Sequence, residues 1–190
     1  MNLYTLSPRL LRIISLVYLI SLSALISSYG QLPSGFTQKK LIGDVINEAT
    51  ATVHAPDGRI FIAERSGTVK VYQNGALTPV HTVSTTTDSE QGLLGITLHP
   101  QFATNGQFYL FYTNPQKSVH YLDKVVVNSA NQVTASNRVM EFDPIINGFH
   151  NGGAILFKDG FLYVAIGESN SAAEATKLDT YRGKILRLTE

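Results

Sequence analysis

No cysteine and no tryptophan occur among the 190 residues, and charged side chains make up only 15% of them. Without cysteine there are no disulfides, no thiolate nucleophile and no Cys-ligated zinc or iron–sulfur centre. Fifteen Lys and Arg against fourteen Asp and Glu leave a formal charge of +1, and no run of one sign occurs. Binding nucleic acid through phosphate neutralisation needs a basic stripe, so that class is excluded. Helical periodicity is missing too: from Ala51 onward no window repeats apolar residues at helical spacing with caps. What is present is 44% hydrophobic residues, too many for a disordered chain. The length suits one domain or two small ones.

The N-terminus stands apart from the rest. Arg9 and Arg12 precede an apolar run from Ile13 to Ile26, followed by small residues at Ser28 and Gly30. A basic start, a short apolar stretch and small residues at a cleavage point make a secretory signal peptide over residues 1–30. The run is shorter than the ~20 residues that a bilayer span requires. An uncleaved anchor is the alternative. Removal of 1–30 leaves no stable membrane span and places the mature chain in a secreted or periplasmic setting.

The body, 31–190, reads as strand hairpins broken by Gly, Asn and Asp. Arg59–Ala63 and Thr68–Tyr72 flank Ser66-Gly67, and Asn74-Gly75 follows. Gln107–Thr113, Phe161–Ile166 and Lys184–Leu188 are further strands. Asp57-Gly58, Asn105-Gly106 and Asp159-Gly160 each precede a strand with an aromatic two or three residues past the glycine. These units recur at intervals of about 50 residues, a period that marks propeller blades rather than a sandwich. The expected fold is all-β, with about three N-terminal blades of a β-propeller. Three blades do not close a ring, so the domain is expected to continue beyond Glu190.

Two segments carry polar groups just ahead of glycines that open an apolar strand. One is Glu90-Gln91-Gly92-Leu93-Leu94-Gly95, leading to His99-Pro100; the other is Phe149-His150-Asn151-Gly152-Gly153. In a propeller such positions lie near the central channel, so Glu90 and His150 are placed to face one pocket although far apart in sequence. A histidine accepts a proton near neutral pH without prior tuning, which makes His150 the candidate general base. Glu90, Gln91 and Asn151 are candidate substrate contacts. His99 reads as a turn residue, and His54, His81 and His120 as surface or packing residues. Glu168 alone is a possible oxygen ligand for a hard cation but not a site.

Across these segments the chain resembles the soluble glucose/sorbosone dehydrogenase family. The shared stretches are Ala55–Glu64, Glu90–Phe102, His150–Gly153, Lys158–Val164 and Arg182–Arg187, in family order over nearly all of 45–190. The resemblance implies a six-bladed propeller and a quinoprotein. In it His150 takes the proton of an aldose anomeric hydroxyl, hydride passes to pyrroloquinoline quinone, calcium polarises the quinone, and the lactone is formed. An external electron acceptor is then a partner. The position matching Glu90 is commonly Gln and touches the sugar; Phe149 stands where the glucose enzymes carry an Asp that holds it. The cofactor and calcium ligands are expected beyond Glu190, which leaves this part alone inactive. The family also includes animal cell-surface propellers, so the alternative is a non-catalytic secreted propeller that binds a glycan or protein partner. A calcium-dependent propeller hydrolase would need more acidic channel ligands than Glu90 and Glu168.

Overall fold

A computed structural model describes residues 32–43 and 45–189. The segment read as a signal peptide, 1–30, lies outside the described residues. The chain divides into two units, Met1–Leu41 and Ile42–Glu190. In the first, the described residues form no helix or strand, and the Phe36 amide donates to Pro33 O at 3.1 Å in a turn. Among the described residues no helix is long and apolar enough to cross a membrane.

The second unit is built from three antiparallel sheets. β1 (Ala49–His54), β2 (Ile60–Glu64), β3 (Thr68–Gln73) and β4 (Ala76–Thr82) form the first, in sequence order. β5 (Leu93–Leu98), β6 (Gln107–Asn114), β7 (Val119–Val127) and β8 (Val133–Pro144) form the second, again in sequence order. β9 (Gly152–Lys158), β10 (Phe161–Ile166) and β11 (Lys184–Leu188) form the third. Up-and-down sheets in sequence, each packed on the next, are the blades of a propeller. The strands expected from the sequence are all present.

Turn chemistry explains the hairpins. At Asn74-Gly75 and Asp159-Gly160 both residues have positive φ, the two-residue turn whose twist matches the flanking strands. Asn105-Gly106 differs from the expected strand-opening turn. Gly106, at φ 63°, ends a four-residue helix α1 (Phe102–Asn105), its amide donating to Phe102 O at 2.8 Å. One turn of helix is too short to leave a periodic signature.

Two apolar cores lie between the blades. Phe61, Val69 and Val71 of the first blade meet Phe108, Leu110 and Val125 of the second. Tyr109, Phe111 and Leu122 on the second blade's other face meet Leu162, Val164 and Ile166 of the third. β6 therefore feeds both cores, which is why its sequence, QFYLFYT, is apolar without alternation. The innermost strands β1, β5 and β9 run side by side: Thr50 Oγ1 donates to Leu93 O at 2.7 Å across the first pair. Across the second pair, a Cβ added at Gly95 would lie 2.0 Å from Gly153 O. Bare backbone is needed there for β5 and β9 to approach.

Candidate functional site

Three loop ends meet where the inner strands begin. The connection 83–92 arrives at β5 with Glu90 and Gln91, the turn 145–151 arrives at β9 with His150, and Glu168 follows β10. The Glu90 amide donates to Gly148 O at 3.0 Å, and the Glu90 carboxylate accepts from the His150 amide at 2.7 Å. Glu90 and His150, paired in the sequence reading, are thus in direct contact.

His150 sits at φ 52°, the left-handed region that a non-glycine residue occupies only when its surroundings hold it there. The holding groups are on both sides. Gly167 packs so closely that a Cβ would fall 1.6 Å from His150 O, and its amide donates to Asn151 O at 3.1 Å. Ser169 Oγ accepts from the amides of Ile146 and Asn147 at 2.9 and 3.0 Å. The turn is pinned along its length.

The imidazole itself is half exposed, and its Nδ1 is hydrogen-bonded to the Glu168 carboxylate. That bond holds the proton on Nδ1 in the neutral ring and leaves Nε2 as the acceptor. It also raises the affinity of the ring for a second proton: hydrogen bonding to Glu168, its charge, and the charge of Glu90 push His150 above the ordinary histidine value. The same pairing holds the Glu168 carboxyl below its usual range. A neutral histidine so oriented by a carboxylate can accept a proton at Nε2.

Asn151 and Gln91 are placed differently from Glu90. Asn151 is 3% exposed and its Nδ2 donates to Gly148 O at 2.8 Å, so its amide braces the turn. Its Oδ1 is buried with no hydrogen-bond partner of good geometry. Gln91 is also buried, its side chain beside Gly148. Behind Asn151 lies His120, buried on β7 with its ring 4.8 Å from that of Phe111 and its Nδ1 3.2 Å from Thr113 Oγ1. Burial pushes this imidazole down to about 4, against an opposing contact from Asn151. His99 behaves as read: its Nδ1 accepts from the Gln101 amide and from Asn105 Nδ2, which closes the turn into α1.

Sequence reasoning missed Glu168 as the partner of His150, and His120 as backing for Asn151. The first was within reach. The two-residue turn at Asp159-Gly160 fixes Lys158 opposite Phe161, and that register, after one bulge, brings Gly152 opposite Ile166. Two residues further out, His150 faces Glu168. His120 carried no such signal, because its neighbour comes from another blade.

Among the described residues no three His, Asp or Glu side chains gather as metal ligands. The fit to an anionic quinone is one-sided. The groups brought to the His150 ring are two carboxylates, Glu168 and Glu90, and the bordering guanidinium of Arg65 is spent on backbone carbonyls. Among the described residues the site lacks the cations that would grip a tricarboxylate.

A family model described as Glucose / Sorbosone dehydrogenase matches residues 46–190. The aldose sugar dehydrogenase YliI of Escherichia coli is 27% identical over 183 residues, covering 91% of this chain and 49% of its own. The mouse Hedgehog-interacting protein is 29% identical over 170 residues, covering 75% of this chain and 24% of its own. Among solved structures, a putative oxidoreductase (glucose dehydrogenase) of Thermus thermophilus superposes with a TM-score of 0.74 at 31% identity, over 80% of this chain and 46% of that one. The quinone-bound aldose sugar dehydrogenase of Streptomyces coelicolor gives 0.70 at 27% identity, over 76% and 45%. The chain spans about half the length of the dehydrogenases it matches, and a quarter of the Hedgehog-interacting protein.

Proposed function

The chain belongs to the glucose/sorbosone dehydrogenase family, and we propose that it carries the proton-accepting part of a quinoprotein that oxidises an aldose at the anomeric carbon to the lactone. The observation that carries this reading is His150, with Nδ1 on Glu168 and Nε2 open at the start of an inner strand. In this reading pyrroloquinoline quinone would supply the hydride acceptor and calcium would polarise it, each held by ligands proposed to come from outside these 190 residues. Within them, His150 Nε2 removes the hydroxyl proton, Glu168 steadies the resulting imidazolium, and Glu90 borders the sugar. Gln91 and Asn151 are the further proposed substrate-side contacts, and both side chains are buried beside the turn. Export by the 1–30 segment, to the periplasm or outside the cell, and an external electron acceptor complete the proposal.

The test uses the whole protein, titrated with the quinone and calcium while dye reduction is followed over a panel of aldoses. Loss of the general base in His150→Ala is expected to lower kcat by about 10²–10⁴-fold. Unchanged turnover in that variant would overturn the role given to His150. A second reading, a secreted propeller that binds a glycan or protein partner, is favoured by the relation to the Hedgehog-interacting protein and by Phe149, which is 43% exposed where the sugar enzymes carry an Asp. A well-folded whole protein that takes up no quinone would decide for it.

A further inference from the structure

Glu90 can meet His150 only if the connection that bears it is held still, and that connection is a loop without strand pairing of its own. Arg65, just past the end of β2, lies across it. Its Nε donates to Gln91 O at 2.9 Å, and its Nη2 donates to Thr87 O at 2.5 Å and to Ser89 O. Nη1 faces the Glu48 carboxylate at 3.6 Å. The backbone on either side is tied down as well: the Arg65 amide donates to Glu48 O, and Arg65 O accepts from the Leu93 amide at 2.9 Å.

The loop is shaped to receive this side chain. Gly92 stands at φ 150°, and a Cβ there would lie 2.6 Å from Arg65 Cγ and 2.7 Å from Arg65 O. Ser89 takes positive φ, and the Gln91 amide closes a turn on Asp88 O at 3.0 Å. One planar guanidinium thus collects three alternate carbonyls, of residues 87, 89 and 91, which only a fork of fixed donors can do. From the loop so held, Glu90 binds Gly148 O through its amide and the His150 amide through its carboxylate. Contact passes from the first blade through the second to the third.

We propose that Arg65 is the positioning residue of the site: by gathering the carbonyls of 87–91 it fixes Glu90, and through Glu90 it fixes the turn that presents His150. The proposal rests on the dehydrogenase reading only for the meaning of His150; the latch itself is independent of it. Arg65 acts through Glu90 and is a positioning residue, not a catalytic one.

The experiment is amide hydrogen exchange on the whole protein, with the imidazole of His150 titrated by NMR. In Arg65→Gln the amides of Glu90 and His150 are expected to exchange at least tenfold faster, while those of Leu110 and Leu122 in the blade core keep their rates. The His150 titration moves to lower pH in the same variant, because Glu90 swings away and Glu168 is the carboxylate left facing the ring. Arg65→Lys, a point donor, falls between. Glu90→Ala releases the His150 amide alone and leaves the loop in place. Rates at Glu90 and His150 within twofold of the parent would overturn the proposal, and so would a uniform acceleration that includes Leu110 and Leu122. Should Arg65→Gln fail to fold, Arg65→Lys decides by the same comparison. None of these readouts needs sugar or quinone, so an intact latch without turnover would count against the dehydrogenase and not against Arg65.

Discussion

At the scale of single residues, the pair His150–Glu168 determines how the site responds to pH. The imidazole is raised above its ordinary value by hydrogen bonding to Glu168 first, and then by the charges of Glu168 and Glu90. A general base works only when neutral, so the acid limb of kcat should lie above the value of an unperturbed histidine, about 6.5. Glu168→Gln removes the charge and keeps a hydrogen-bonding amide. We expect its acid limb to move to lower pH, with a lower plateau because the imidazolium loses its partner; a pH profile of dye-linked turnover measures both. A limb that stays in place would mean that Glu168 does not set the titration. Linkage gives the same sign for folding. A group with a raised folded-state pKa stabilises the fold below its unfolded value and loses that contribution as pH rises through the folded one. The stability of Glu168→Gln should therefore differ most from the parent in mildly acid solution. The presence of His150 and Glu90 in one site was legible in sequence, since each precedes glycines opening an inner strand. The inward turn of Asn151 was not, because exposure depends on what the next blade places behind a residue.

Elements carry the next constraint, and glycine carries most of it. β5 and β9 approach so closely that Gly95 has Gly153 O where its own Cβ would be, at 2.0 Å. The obstacle is backbone, which has little freedom to yield between two sheets. Gly95→Ala should cost about 1–3 kcal/mol through overpacking, which in a chain of this size is a fall in Tm of several degrees. It should also slow turnover by displacing the start of β9, where His150 sits. Gly160→Ala makes the control: nothing lies within 4 Å of its Cβ, so its cost is the strain of φ 79° alone. Thermal unfolding of the two variants separates steric from conformational loss, and equal sensitivity of activity in both would remove the special role of the β5–β9 approach. The strands were legible because Asx-Gly turns and β-branched runs are local signals. α1 was not, since four residues cannot display a period. Nor was the function of Gly95 as a spacer, because the oxygen it accommodates is 58 residues away in sequence, on Gly153.

For the blades as a set, the two cores are stacked and unequal in what they leave open. The second blade is covered on both faces, whereas the third blade shows its far face. There Leu156 and Ile185 are 58% and 74% exposed, and Leu156 stands opposite Tyr163, itself opposite Arg187. The period of about 50 residues made the stacking readable, since a blade with an apolar run like that of β6 needs neighbours on both sides. What the period does not encode is how many blades the propeller has. An apolar blade face without a neighbour is an association surface. Residues 32–190 produced by themselves should therefore self-associate at micromolar concentration, as read by light scattering after size exclusion. Leu156→Glu with Ile185→Lys, placed on that face and outside both cores, should shift them toward monomer while leaving the far-UV spectrum unchanged. Wherever a further blade packs on this face in the whole protein, the same pair of charges should lower Tm, because it would have to be buried there. A whole protein indifferent to both charges would show that this face stays open to solvent, and the ring would then have to close by some other packing.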